Sequence, residues 1–431
     1  MKNFFQFNER ETTYKKETLA GITTFLSMAY ILVVNPIILS QSGMDQGAVF
    51  TATALSAIVG TLLIGLLANY PIGIAPSMGL NSFFTFSVCI GMGIEWPIAL
   101  TGVFVASILF VILSLLKIRE KIIDVIPQDL KHAIAAGIGF FIAFIGLKNA
   151  GIIVSNPATF VSIGKLTSPL TALAVIGFVL TVMMLVRGIH GGVFYGMVIT
   201  TVVGMIFGLI DIPASIIGSI PSLEPTFGVV FSHLNEIFTP EVLTVIFTFL
   251  FVAFFDTAGA LIAVASQAGL MKDNKIPNVG KALLADSASG VVGAVLGTST
   301  TASFVESSAG IAVGGRTGFT SIIISACFFI ALFFSPILSV ITPEVTAPAL
   351  IIVGSLMAME MSKINWTRLE IVIPSFVTII MMPLTFSVAT GIALGFILYP
   401  LALMSQKRFK EIHPIMYILC FLFIAYFIYF A

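Results

Sequence analysis

The chain is a succession of apolar stretches, each about as long as a membrane-spanning helix, separated by short polar connections. A helix needs about 20 predominantly apolar residues to cross a bilayer. By this measure the pattern predicts an all-α membrane protein with fourteen spans. They lie near residues 18–41, 47–70, 74–94, 97–116, 132–148, 168–186, 191–211, 241–266, 281–297, 302–314, 317–338, 346–361, 370–386 and 388–404.

One more apolar run, at 412–430, follows the fourteenth span. It carries His413 and Tyr417, and amphipathic side chains of this kind are typical of the membrane–water interface. Two interpretations therefore stay open for this segment: it crosses the bilayer, or it lies along the surface.

The basic residues indicate the orientation of the spans, because cytoplasmic loops are enriched in Lys and Arg. With the N-terminal segment 1–17 in the cytoplasm, every Lys and Arg except Lys148 and Lys165 falls in an inner loop. The connection 212–240 contains neither Lys nor Arg, as expected of an outer loop. We therefore expect a multi-pass protein of the cell (plasma or inner) membrane with a cytoplasmic N-terminus.

Composition agrees with this class, since 58% of the residues are hydrophobic and only 9% are charged. Soluble domains carry roughly 25% charged residues. Basic and acidic residues balance at 20 each, and no basic patch marks a nucleic-acid surface. Three scattered cysteines and the lack of a metal-binding or nucleotide-binding motif argue against a metal, an organic cofactor and an enzyme.

The spans divide into two sets of seven, residues 18–211 and residues 241–404, followed by a C-terminal segment at 405–431 with its additional apolar helix. An odd number of spans per set predicts a repeat that is inverted in the membrane. The third span of each set is interrupted, at 70–86 by Pro and Gly and at 297–318 by Gly, Ser and Thr. Paired interruptions at matching positions point to a transport site, because unwound backbone at membrane depth lines cavities.

Polar side chains occur at these interruptions. Asn81 and Glu306 are 225 residues apart, close to the 223 residues that separate the starts of the two sets. An acidic group at the centre of a span costs about 2.5–3.5 kcal/mol to insert, so Glu306 and Asp256 are candidates for function. A carboxylate can accept two N–H groups from a planar heterocycle, and Asp256 can load and release a proton.

Other polar and aromatic residues have two interpretations each. Asn81 can read the edge of a base or bind unwound backbone. Asp286, expected near the membrane surface, has a functional or a helix-packing role. Aromatic rings near the acidic residues either stack on a ligand or pack the core; these are Phe83, Phe84, Phe255 and Phe304.

Four stretches resemble the guanine/hypoxanthine (AzgA-like) permeases of the nucleobase:cation symporter-2 family. They are NERETTYKKETLAGITTFLSMAYILVVNP (8–36), PIGIAPSMGLNSFF (71–84), FDTAGAL (255–261) and LLADSASGVVGAVLGTSTTASFVESSAGIAVGGRTG (283–318). The resemblance implies inverted seven-plus-seven repeats divided into a core and a gate domain. It also implies a short β-strand in the third and tenth spans, a homodimer, and elevator-type movement of the core.

The same resemblance assigns residues to the site. Glu306 is similar to the substrate-binding carboxylate, and Asp256 to the acidic residue that contacts substrate and takes part in proton coupling. Gly79 and Asn81 match site residues of the third span, and Phe304 lines the site. Uracil-type members generally carry Glu in place of Asp256, which favours the purine branch.

Together these observations predict a secondary active transporter that imports purine nucleobases, hypoxanthine or guanine, by proton symport. The expected partners are the base, the lipid bilayer and a second copy of the chain, with the proton as coupling ion. A carrier of uracil or of another small solute with the same fold is the nearest alternative, and a passive channel is a rival from another class.

Overall fold

The computed structural model describes residues 2–116, 127–213, 215–268, 270 and 277–430. Within these ranges the structure describes the backbone but not the side chains of residues 251, 254–260, 262–263, 265–267, 338–339, 425–426 and 429–430.

In the first set of spans the helices follow the predicted order. The elements are α1 (Tyr14–Met28), α2 (Ile31–Ser40), α3 (Gln46–Leu67), β1 (Ile74–Pro76), α4 (Met78–Ser82), a π-helix (Phe83–Gly91), α5 (Trp96–Leu115), α6 (Gln128–Asn149), β2 (Ile153–Asn156), β3 (Phe160–Ile163), α7 (Pro169–Val186) and α8 (Gly192–Ile206).

The second set repeats this order. Its elements are α9 (Pro240–Gln267), α10 (Val279–Leu296), β4 (Thr301–Ser303), α11 (Ser307–Ala312), α12 (Gly318–Ala331), α13 (Pro343–Ala358), α14 (Leu369–Leu384), α15 (Val388–Ser405) and the C-terminal α16 (Pro414–Phe430). Within the described part of the chain, nine helices are long and apolar enough to cross a membrane, and shorter apolar helices accompany them.

The first helix begins at Tyr14, earlier than the predicted start at residue 18. Thr13 caps it by accepting a hydrogen bond from the Lys16 amide, which satisfies one free donor of the first turn. Glu17 is fully buried and accepts hydrogen bonds from the Arg316 amide and the Thr320 hydroxyl. The end of the predicted N-terminal segment is therefore folded into the helix bundle.

Both predicted interruptions are present, and they meet. β1 and β4 pair antiparallel with Ile74 opposite Ser303, and a short helix follows each strand. Pro76 lacks a backbone donor, but it lies opposite Thr301 in a non-hydrogen-bonded pair of the ladder, since Ser77 and Gly73 bond on either side of it. Consecutive Thr and Ser residues before β4 favour extended backbone over helix.

Helix packing separates two groups. In one group, α3 packs on α2, α10 and α12, and α5 packs on α9 and α10. In the other, α6 packs on α13 and α14, α14 packs on α15, and α7 packs on α8 and α13. The first four spans of each set form the first group and the last three form the second, which corresponds to the predicted core and gate. The inverted relation of the two sets stays a prediction.

Two features differ from or add to the sequence-based picture. A β-hairpin of β2 and β3, paired from Ile153–Ile163 to Asn156–Phe160, occupies the connection between α6 and α7. Helix α16 packs against α15, with the Phe423 ring 5.7 Å from Phe396 and 5.9 Å from Phe247. The C-terminal run is thus a helix attached to the bundle.

Candidate functional site

Gly79 lies at a close approach between the core and the gate. It belongs to α4, directly after β1, and faces Ile138 of α6. A Cβ atom at Gly79 would lie only 2.6 Å from Cγ2 of Ile138, so a side chain at position 79 requires the Ile138 side chain or one of the two helices to shift. Glycine at this position lets the interrupted span lie directly against the gate.

Asn81 is fully buried at the centre of a polar network. Its amide nitrogen donates to the Asn35 side-chain oxygen, and its own oxygen accepts from the Ser299 hydroxyl. Asn35 in turn donates to the hydroxyls of Thr53 at 2.7 Å and Thr298 at 3.0 Å. In this conformation Asn81 therefore holds the two interrupted spans together, which is one of the two roles that the sequence left open.

Glu306 immediately precedes α11 and is partly exposed. Its Oε1 atom accepts a hydrogen bond of 2.6 Å from the Tyr30 hydroxyl. Tyr30 lies between α1 and α2 and is only 1% exposed, so the hydroxyl that donates to Glu306 is itself buried in the core. A hydrogen bond to an ionised carboxylate is among the stronger polar contacts in proteins.

Sequence reasoning missed Tyr30. Its partner Glu306 is 276 residues away in the sequence, and no local pattern predicts a contact between residues so far apart. A signal was available, however: Tyr30 places a polar hydroxyl deep inside an otherwise apolar span, and a buried hydroxyl needs a hydrogen-bond partner.

Phe304 follows β4 directly and lies two residues before Glu306. Its ring is buried at 6% exposure and its amide donates to the Gly73 carbonyl at 2.9 Å. The adjacent Ser303 hydroxyl and Asp286 form a second contact between the strand and α10. The interrupted span is thus fixed on both sides of the pairing strands.

Asp286, for which the sequence left a functional or a helix-packing role open, packs between α10 and β4. It is 1% exposed and its Oδ1 accepts from the Ser303 hydroxyl at 3.1 Å. Since α10 begins at Val279, Asp286 lies two turns inside the helix and faces β4. Ser289, nearly one turn further along α10, makes a parallel contact with the Thr301 hydroxyl at 2.6 Å.

Asp256 lies in α9, and its side chain, like that of Phe255, lies outside the described residues. The helix itself packs beside β4 and α11, the elements that flank Glu306. Among the residues that are described, no three His, Cys, Asp or Glu side chains come together closely enough to hold a metal ion.

Several known proteins are similar to this chain over almost its whole length. A family model described as a permease family matches residues 15–394. Guanine/hypoxanthine permease PbuG of Bacillus subtilis (strain 168) is 57% identical over 438 residues, which cover 100% of both chains. Adenine permease AdeP of Escherichia coli (strain K12) is 40% identical over 425 residues, covering 98% of this chain and 95% of the relative.

A solved structure shares the fold. The transmembrane domain of a cyanobacterium bicarbonate transporter, BicA, superimposes with a TM-score of 0.63 at 17% sequence identity. The match covers 88% of this chain and 97% of that one. The predicted fold class is confirmed by this likeness together with the helical architecture.

Proposed function

Because this chain belongs to the permease family, we propose that it is a secondary active transporter that imports the 6-oxopurine bases guanine and hypoxanthine together with a proton. It is a membrane transporter and not an enzyme. The full-length similarity to a guanine/hypoxanthine permease supports the choice of substrate.

The observation that carries the proposal is the position of Glu306 where two interrupted spans meet. Guanine presents its ring N1–H and its 2-amino group side by side on one edge, and a carboxylate can accept both in a bidentate arrangement. Tyr30 binds Oε1 of Glu306 and thereby fixes the plane of the carboxylate. Hypoxanthine retains the N1–H donor and so keeps one of the two contacts.

Proton coupling is assigned to Glu306 and Asp256. A buried carboxylate is costly to move across a bilayer as an anion, whereas a protonated or hydrogen-bonded one is not. Loading of a proton and a base together therefore permits the core to move. The membrane potential contributes about 2.3 kcal/mol for each charge carried inward per 100 mV.

Movement is proposed to follow an elevator mechanism within a homodimer, with the core group of helices sliding along the gate group. The separation of helix packing into two groups supports this mechanism. Gly79 adds support, because a glycine facing Ile138 has no side chain that would obstruct sliding of one group along the other.

The test is uptake of labelled hypoxanthine into proteoliposomes with an inward proton gradient. We expect accumulation above the outside concentration, its loss with an uncoupler, and its loss in Glu306→Gln. Equilibration without accumulation would indicate a passive channel, and undiminished uptake by Glu306→Gln would remove this carboxylate from the site.

Adenine is a second candidate substrate, since an adenine permease is 40% identical over nearly the whole chain. Competition distinguishes the candidates: unlabelled guanine should block hypoxanthine uptake, whereas adenine and uracil should not. Strong inhibition by adenine would favour an aminopurine carrier, and strong inhibition by uracil a pyrimidine carrier.

A further inference from the structure

A partly open cavity of about 460 Å³ lies at the end of the helix bundle opposite the N-terminal segment. Its volume falls within the range of small-molecule sites, about 300–1,000 Å³. Gln41, at the end of the first span farthest from Tyr14, lines it. With the predicted cytoplasmic N-terminus, this cavity faces the outside.

The cavity lies between the core and the gate. The core wall includes Phe83 and Phe86 of the π-helix, which continues directly from the short helix that contains Asn81. The gate wall includes Lys148 at the end of α6 and Phe386 in the turn between α14 and α15. A molecule in the cavity would contact both groups of helices.

Phe386 and Lys148 form the most unusual part of the wall. The Lys148 ammonium lies 5.1 Å from the centre of the Phe386 ring, a cation–π distance. Phe386 adopts a φ of 54°, a left-handed conformation that non-glycine residues rarely take. The Ser87 hydroxyl donates to the Phe386 carbonyl at 2.9 Å, and the Phe86 ring packs edge-on at 5.6 Å, so the core holds this turn in place.

Hydroxyl groups complete the lining. Thr244 and Thr248 of α9 both donate their hydroxyl protons to carbonyls one turn back in the helix. Their oxygens are thereby left as acceptors for an N–H group in the cavity. Lys148 supplies the complementary function, because an ammonium group donates and cannot accept.

We propose that this cavity is an outer capture site that binds a 6-oxopurine before the base reaches Glu306. The inference rests on the proposed function. The carbonyl oxygen of the base accepts from Lys148, a ring N–H donates to Thr244 or Thr248, and the ring face lies on the Phe side chains. An aminopurine presents donors where the oxopurine has its carbonyl, so Lys148 selects oxopurines over adenine at the point of entry.

The first test compares Lys148→Met with the control variant Lys165→Met. Lys165 is exposed and is the other basic residue that the sequence places outside the cell. A hydrogen bond from a charged group contributes enough that we expect the KM for hypoxanthine to rise about tenfold in Lys148→Met, with kcat unchanged. The ratio of kcat/KM for hypoxanthine to kcat/KM for adenine should fall by the same factor. Lys165→Met should match wild type, and Lys148→Arg should recover most of the affinity. An unchanged KM and selectivity in Lys148→Met would overturn the proposal.

The second test does not require transport. A cysteine is introduced as Thr385→Cys, at an exposed position of the cavity wall, in a Cys89→Ser, Glu306→Gln background. Hypoxanthine added outside should slow labelling by a membrane-impermeant maleimide, and adding Lys148→Met should abolish that protection. Labelling that hypoxanthine does not slow would contradict an outer site.

The two proposals fail differently. A wild-type protein that moves no purine base refutes the proposed function. Wild-type transport that depends on Glu306 but not on Lys148 refutes only the capture site.

Discussion

At the scale of single residues, the centre of the molecule depends on a few polar atoms in apolar surroundings. Glu306 is oriented by Tyr30, and Asn81 by Asn35 and Ser299. Glu306 is partly exposed, whereas the Asn81 network is fully buried and joins the two interrupted spans. The two sets are therefore expected to respond differently to substitution.

Tyr30→Phe removes only the hydroxyl that donates to Glu306 and keeps the ring that fills the core. Hydrogen bonds to charged groups contribute about 1.5–3 kcal/mol, so we expect kcat/KM for hypoxanthine uptake to fall at least about tenfold. Thermal unfolding in detergent should remain close to wild type. Wild-type kinetics in Tyr30→Phe would show that the hydroxyl does not orient the carboxylate.

Asn81→Ala should act on stability. It leaves the buried Asn35 oxygen and the Ser299 hydroxyl without their partner, which costs about 1–3 kcal/mol. A double-mutant cycle with Asn35→Ala measures the coupling, and the combined variant should lose less stability than the sum of the single ones. Additive losses would contradict a shared network.

At the scale of elements, the interruptions of the third and tenth spans could be predicted from Pro71, Pro76 and the Gly-rich run before Arg316. The pairing of β1 with β4 carries no local signal, because it joins segments about 225 residues apart, and only the family resemblance implied strands there. The hairpin at residues 153–163 was missed, since the apolar pattern of spans hid two short alternating strands. The packing of Asp286 against Ser303 carries no local signal either, because the two residues lie on different elements.

The close approach of α4 to α6 makes a prediction at the same scale. Gly79→Val places new atoms against Ile138, where a Cβ alone already lies 2.6 Å from Cγ2. Overpacking of this kind costs about 1–3 kcal/mol, so uptake should fall sharply. Ile138→Ala creates space and should restore uptake in the double variant. A double variant no better than Gly79→Val would mean that the glycine has another role.

At the scale of the whole molecule, the division into core and gate was expected from the family resemblance and is visible in the packing of the helices. The pattern of apolar runs, together with composition and the distribution of charge, was enough for the membrane class and the order of the helices. Neither could place Tyr30 against Glu306 or the outer cavity between the two groups, because both arise from contacts between distant parts of the chain.

A cross-link between the groups tests the elevator mechanism. A Cβ atom at Gly79 would lie 3.9 Å from that of Ile138, within the range of disulfides, about 3.5–4.5 Å. Gly79→Cys combined with Ile138→Cys should stop transport on oxidation and recover it with a reductant. Ile138→Cys alone serves as the control, and oxidation should leave its transport unaffected. Full transport by the cross-linked protein would exclude sliding at this contact.

The central claim is that the Glu306 carboxylate binds the N–H edge of a purine base. Equilibrium binding of labelled guanine to the purified protein tests it most directly, with 1-methylguanine as the competitor that lacks the ring N–H. We expect wild type to bind guanine but not 1-methylguanine, and Glu306→Gln to lose at least about 100-fold in affinity, because a charge-assisted bidentate contact is removed. Guanine binding by Glu306→Gln with wild-type affinity would contradict the account.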